Sequence, residues 1–149
     1  MSEENETTLN MKKLNDLVAM LAKSEHVIRV GVLGKGNGRN AEIGAAHEYG
    51  TSRLPQRSFL RLPLNEHLYE YVARSPINSV VMLDSLIEKQ DFMPWFKQLA
   101  KIAERVVLDA FDNGGFGKWV PHSAGYTNNT GNILVDTAQL RNSITSEVL

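Results

Sequence analysis

The stretch Asp91-Phe92-Met93-Pro94-Trp95-Phe96-Lys97-Gln98-Leu99-Ala100-Lys101-Ile102-Ala103-Glu104-Arg105-Val106-Val107-Leu108-Asp109-Ala110-Phe111-Asp112 carries the strongest structural signal in the chain. Its apolar residues fall in two adjoining rows at helical spacing. Trp95, Leu99, Ile102, Val106 and Ala110 form one row; Phe96, Ala103, Val107 and Phe111 form the other. A stripe this wide belongs to a helix laid against a core. Asp91 can cap its start, Pro94 falls in the first turn where a missing N–H costs little, and Gly114-Gly115 stops it. The spacing predicts a helix over 92–112. Leu108 lies among Lys101, Glu104, Arg105 and Asp112, and is expected as an exposed contact.

Outward from that helix the signals are shorter. Residues 26–33 read as a strand, because Val27, Ile28, Val30, Val32 and Leu33 are branched or apolar and capping residues are missing. Residues 34–40 form a glycine-rich loop. Residues 41–49 predict a short helix of small residues, stopped by Gly50 in the position favoured for a left-handed C-cap. Pro55 and Pro63 bracket an extended piece over 56–62. Residues 64–74 predict a helix with Leu64, Leu68, Tyr71 and Val72 on one side, broken at Ser75-Pro76. Residues 78–89 carry both spacings, and helix is the preferred reading.

At the N-terminus, the acidic residues 1–7 are expected to be disordered. Thr8 or Asn10 can cap a helix running to 23, with Met11, Leu14, Leu17, Val18 and Leu21 at helical spacing. On the C-terminal side, 116–131 read as a loop anchored by Trp119 and Val120. Thr137 can cap a turn over 138–142, before a last strand at 143–148. The expected architecture is α+β: a small antiparallel or mixed sheet packed against helices, in one domain over 8–149.

A chain of 149 residues fits one domain. At that length folding buries roughly 68–70% of the unfolded surface, enough for a real core. A net charge of -1 supplies no overall basic field that would draw the chain to nucleic acid. There is no cysteine, so disulfides and thiolate metal sites are excluded. Ser2-Glu3-Glu4-Asn5-Glu6 is acidic where a signal peptide would be basic. No apolar run approaches the ~20 residues of a membrane helix. These features predict a soluble protein, made and assembled in the cytoplasm, with no membrane partner.

The chemistry-bearing residues do not assemble into a catalytic motif. His47-Glu48 would need a second histidine four residues after the first to hold zinc, and position 51 is threonine. His26, His67 and His122 lie in separate segments. Glu48 therefore reads as a hydrogen-bonded or ion-paired anchor, with Arg53 or Arg57 as its partner. Gly36-x-Gly38-x-x-Ala41 follows a strand and precedes a helix, as a loose dinucleotide turn does, but no second strand with a ribose-binding acid follows. Asp84, Glu88 and Asp91, or Asp109 and Asp112, share helix faces without a third ligand. Ser123 and Ser143 lack a nucleophile-elbow context. No catalytic residue, metal ligand or cofactor is assigned. Arg53, Arg57 and Arg61 recur every fourth residue, which on an extended segment sets them on one face. Arg57 and Arg61 have three candidate partners: a phosphate backbone, an acidic neighbouring subunit, or an acid within the fold.

Two distant segments carry a resemblance. One is Ala41-Glu42-Ile43-Gly44-Ala45-Ala46-His47-Glu48-Tyr49-Gly50-Thr51, leading into Leu54-Pro55-Gln56-Arg57-Ser58-Phe59-Leu60-Arg61. The other is Leu134-Val135-Asp136-Thr137-Ala138-Gln139-Leu140-Arg141-Asn142-Ser143-Ile144. With the Trp119 loop between them, they resemble the virion morphogenesis, neck (head-tail joining) and tail-completion proteins of tailed bacteriophages. In that family "A-x-x-x-E-F/Y-G-T" and "I/L-P-x-R-x-F-L-R" precede a terminal "L-x-D-T-G-x-L-R-x-S-I". Where the family has glycine after the threonine this chain has Ala138, so a turn demanding positive φ is not expected there.

The resemblance implies a structural α+β subunit without enzymatic activity, assembled into a ring, often sixfold, between portal and tail. Its implied partners are other copies of itself, neighbouring neck, portal-adaptor or tail-tube proteins, and non-specific contact with DNA in the lumen. Its implied place is the virion neck or tail. The residues it points to for assembly are Glu48, Tyr49, Arg53, Arg57, Phe59, Arg61, Trp119, Asp136, Thr137, Leu140 and Arg141, with Leu108 added from the long helix. The rival expectation is a nucleic-acid- or nucleotide-binding module using the glycine loop 34–38 with Arg57 and Arg61. Short strands near loops offer edges for pairing across subunits.

Overall fold

A computed structural model describes residues 3–121 and 138–149. The element order is α1 (Glu3–Lys23), β1 (Ile28–Val32), α2 (Gly38–Tyr49), α3 (Arg61–Arg74), a 3-10 turn (Pro76–Asn78), α4 (Val80–Lys89), α5 (Met93–Asp112), α6 (Gln139–Asn142) and β2 (Ile144–Val148). The class is α+β: among the described residues, six helices and one two-stranded antiparallel sheet.

Helix α5 organises the molecule, as its stripe predicts. One side carries the β1–β2 ribbon and another carries α3. Asp91 Oδ1 accepts from the Met93 N–H at 2.9 Å, and Pro94 sits in the first turn. The buried positions are Ala100, Ala103, Val106, Val107, Ala110 and Phe111, while Trp95, Leu99 and Ile102 are half-buried. Three of those six buried residues are alanines, which let neighbouring elements approach the helix axis closely. Leu108 is not an exposed contact: it is half-buried and packs against the core cluster.

That cluster is Phe59, Val107, Ala110, Phe111, Trp119, Leu140 and Ile144. Phe111 is its centre, tilted against Phe59 at 5.1 Å and edge-on to Trp119 at 5.7 Å. Aromatic pairs in these geometries add about 0.5–1.5 kcal/mol each beyond the area they bury. The ribbon runs in register from Ile28 opposite Val148 to Val32 opposite Ile144. A two-stranded ribbon is marginal alone in water. Here its inner residues Val30, Val32 and Ile144 join the core, so α5 provides the surface that holds it.

Several boundaries differ from the sequence expectation. Helix α1 begins at Glu3, upstream of the expected cap at Thr8 or Asn10. Its row Met11, Leu14, Val18 and Leu21 stays exposed, because α1 meets the short α4 through the side bearing Lys13, Leu17 and Met20. Lys13 Nζ lies 2.9 Å from Asp84 Oδ1 across that contact. Helix α2 begins at Gly38 rather than Ala41. The extended piece ends at Leu60, not Leu62, and Pro63 lies buried in the first turn of α3. Proline fits there because a helix has no intrahelical use for its first N–H groups. Among the described residues no helix is long and apolar enough to cross a membrane.

Candidate assembly site

The first motif folds around the carboxylate of Glu48, on the last turn of α2. Its side chain is 6% exposed. Oε1 accepts from the Ser58 hydroxyl at 2.7 Å and the Arg61 N–H at 3.1 Å. Oε2 accepts from the N–H groups of Phe59 at 2.9 Å and Leu60 at 3.0 Å. The reason lies in α3. Its N-cap residue is Leu60, which has no side-chain acceptor, so the first-turn N–H groups need acceptors from elsewhere.

Glu48 supplies one for Arg61. Ser58 Oγ supplies another, accepting from the Leu62 N–H at 3.1 Å. Pro63 has no N–H, and the Leu64 N–H already bonds back to the Leu60 carbonyl. Every donor of that turn is thus accounted for. A carboxylate at a helix N-terminus also meets the positive end of the macrodipole.

The anchor reading of Glu48 holds, but its partners differ from those expected. Neither Arg53 nor Arg57 pairs with it. Arg61 Nε lies 3.9 Å away, with its side chain 55% exposed. Arg53, Arg57 and Arg61 do not share a face. Arg53 is exposed on a turn, Arg57 is 5% exposed, and Arg61 starts α3. Arg57 Nε donates to the Val120 carbonyl at 2.9 Å and Nη2 to the Pro121 carbonyl at 3.2 Å. Trp119 Nε1 donates to the Ser58 carbonyl at 2.9 Å. Trp119 therefore anchors its loop through its buried indole, whereas the Val120 side chain is exposed and contributes its carbonyl. Burial, then the nearby charge of Arg57, hold the His47 imidazole below its ordinary pKa.

Gly50 does not form the expected left-handed C-cap. Its φ is 74° and its ψ 167°, a region that in practice only glycine occupies. A Cβ there would lie 3.0 Å from the Gln56 backbone nitrogen. This bend turns the chain back on α2, where the Arg57 N–H donates to the His47 carbonyl at 2.7 Å and Gln56 Nε2 to the Glu48 carbonyl at 3.0 Å. The outer turn is closed by Thr51, whose Oγ1 accepts from the N–H groups of Arg53 and Leu54. Tyr49, 71% exposed, and Arg53 project beside it.

The second motif meets the first at Gly44. A Cβ on that residue would stand 3.2 Å from Phe59 Cζ and 3.3 Å from Leu140 Cδ1. The absent side chain lets α2 settle onto the core between residues from both motifs. Arg141 makes a bidentate pair with Asp112, at 2.8 and 2.9 Å. That bond holds the Asp112 carboxyl below its usual range and raises Arg141. Ala138, contrary to expectation, has φ 54° and ψ 0° and is left-handed. Its carbonyl accepts from the Asn142 N–H at 2.9 Å, the first bond of α6. Asp136 and Thr137 lie outside the described residues.

The assembly candidates therefore divide. Glu48, Arg57, Phe59, Trp119 and Leu140 are buried and hold the protomer together. Tyr49, Arg53 and Arg61 stand at the surface of the same knot. Ser58, Gln56 and Asp112 belong to the arrangement and were missed by the sequence reading; Gly44 is one of the small residues of α2 expected to permit close packing, here against Phe59 and Leu140 rather than a sheet. Only Ser58 had a local signal, as a hydroxyl just ahead of a proline-marked helix start. Among the described residues no group of three or more His, Asp or Glu side chains could hold a metal ion. The glycine loop leads from β1 into α2, but the strand beside β1 is the antiparallel β2, not the parallel neighbour of a dinucleotide fold. Compared with protein-family models, curated proteins and solved structures, the chain matches none of them.

Proposed function

We propose that this chain is a structural subunit of a tailed-phage neck or tail-completion ring, with no catalytic step of its own. The observation that supports this reading is the junction of the two motifs. The residues that carry the resemblance are spent on one buried knot: Glu48 capping α3, Arg57 and Trp119 tying 57–58 to 119–121, and Phe59 meeting Leu140 across Gly44. Such a knot makes a rigid platform, and Tyr49, Arg53 and Arg61 are what it presents. The partners on this reading are further copies of the chain and the portal-adaptor or tail-tube proteins above and below it, in the virion neck or tail. Any contact with DNA in the lumen would be sequence-independent.

The test is the solution mass by light scattering across a concentration series, with negative-stain images of the same fractions and co-sedimentation with purified tail tubes and tailless heads. A discrete oligomer with a central opening, or a ring formed on either particle, is the expected result. A monomer at every concentration that sediments with neither particle would overturn the proposal.

A further inference from the structure

Helix α1 is apolar on two sides. On one, Lys13, Leu17 and Met20 are half-buried, and Lys13 Nζ lies 2.9 Å from Asp84 Oδ1 on α4. The other carries Met11, Leu14, Val18 and Leu21, which are 53%, 50%, 57% and 37% exposed. Their intervals of three, four and three residues are those of the a and d positions of a coiled-coil seam. Asn15, Leu17 and Ala22, the positions flanking that seam, carry no charge, while Lys12, Lys13, Asp16 and Lys23 take the remaining positions. Val80 and Val81, 72% and 80% exposed, lie one turn ahead of Asp84 on α4 and widen the apolar surface beside α1. A contiguous apolar surface rimmed by polar residues marks a contact with another molecule.

We infer that this row packs against the same row of a second copy of the chain, antiparallel, about a two-fold axis at the level of Asp16. The row suits that arrangement because its intervals read the same in both directions. Met11 then stands opposite the second copy's Leu21, and Leu14 opposite its Val18, so all four residues of each copy are covered at once. A residue row that pairs with itself in this way is what an isologous contact requires.

Charge selects the same direction. Residues 3–10 of α1 carry three glutamates and no base, whereas residues 11–23 carry three lysines and one aspartate. Antiparallel copies bring the acidic end of one helix toward the basic end of the other and set their macrodipoles in opposition; parallel copies would gather both acidic ends together. The inference does not rest on the ring reading. A two-fold contact closes at two copies, so it joins two protomers, or two rings, and cannot itself build a ring.

The chain has no cysteine, so one introduced thiol carries one label. Pyrene on Asn15→Cys, beside the axis, should give excimer emission that fades as unlabelled wild-type chain is added. Pyrene on Ala22→Cys, on the same side of the helix one heptad further on, should give none, because the two labels stand roughly 18 Å apart along the helix axes. Excimer at both positions, or at neither, would overturn the antiparallel pair; the second result is also the one expected if residues of the same chain cover the row. Placing Leu14→Glu and Val18→Glu in the Asn15→Cys chain should keep its circular dichroism and abolish the excimer. By light scattering the dissociation constant of the contact should rise roughly 100-fold or more. Unchanged association would count against the proposal decisively.

Should the double glutamate variant fail to fold, the two pyrene positions, which leave the row intact, decide alone. The outcomes also separate this contact from the ring. A ring that forms without excimer at Asn15→Cys refutes the pair and leaves the ring reading standing. Excimer at Asn15→Cys alone, from a chain that forms no ring and binds neither phage particle, supports the pair and refutes the ring.

Discussion

Replacement of Glu48 by alanine tests the central claim, that one carboxylate on α2 caps α3 and fixes the segment between them. Four donors lose their acceptor. The Ser58 hydroxyl and the Phe59 N–H are in buried bonds; the Leu60 and Arg61 N–H groups are only partly buried and water can replace their acceptor. A buried donor left without a partner costs about 1–3 kcal/mol. Two such groups, with a small contribution from the outer pair, give an expected loss of roughly 3–5 kcal/mol. That agrees with the approximately 3–5 kcal/mol seen when one partner of a buried charged interaction is removed. Against a native stability on the order of 5–15 kcal/mol, the loss is about a fifth or more of the total.

Urea unfolding followed by tryptophan fluorescence reads it directly, because Trp119 hydrogen-bonds to the Ser58 carbonyl beside the altered site. With an m-value of roughly 2 kcal/mol/M, the midpoint should fall by about 2 M. Glu48→Gln keeps one acceptor but turns an amide NH2 toward N–H donors, so it should fall between wild type and alanine. Ser58→Ala combined with Glu48→Ala should cost less than the two single losses added, since they share a bond. An alanine variant within about 1 kcal/mol of wild type would refute the capping argument.

Three further outcomes follow from the same geometry. Gly50→Ala should destabilise by about 1–3 kcal/mol, because it forces a Cβ into a positive-φ region and against the Gln56 backbone, and thermal unfolding measures it. Ala138→Gly should stabilise by roughly 0.5–1 kcal/mol, most of the ~1–2 kcal/mol left-handed penalty being relieved and part returned as chain entropy, with urea midpoints as the check. Tyr71, whose hydroxyl donates to Asp109 Oδ2 at 2.8 Å, is pushed up to about 12 by burial and by that bond. A raised folded pKa means its stabilisation is complete below about pH 10 and is lost as pH rises from there through about 12. Tyr71→Phe should flatten the alkaline limb of the stability profile over that window.

The contrast between α5 and the Glu48 knot shows where sequence reasoning carried and where it stopped. Helix α5 was legible because its period is local: each buried residue implies the next three or four positions on, and Asp91, Pro94 and Gly114-Gly115 punctuate it within the same stretch. The two strands were legible from their branched residues, and their pairing fits the α+β expectation. The knot was legible only as a resemblance between two segments. That Glu48 was an anchor could be reasoned from its setting; what it anchored could not. Its donors were sought among arginines because opposite charge is visible in a sequence, whereas unsatisfied backbone N–H groups at a helix start are not. Arg53, Arg57 and Arg61 were placed on one face by even spacing, and the bend at Gly50 with the early start of α3 at Arg61 broke the period that argument needs.

The sequence by itself determined the class of the fold, the long central helix, both strands and the breaks at Gly50, Ser75-Pro76 and Gly114, because propensity, periodicity and turn chemistry act over a few neighbouring residues. Only the tertiary structure decided which apolar rows were covered and which polar groups met. It left Met11, Leu14, Val18 and Leu21 in the open, took Leu108 partly in, and held Ala138 left-handed. It joined Phe59 to Leu140 across Gly44, more than eighty positions apart in the chain. Burial and hydrogen-bond partners are set by whatever surface arrives from elsewhere in the chain, and no local pattern records what that surface will be.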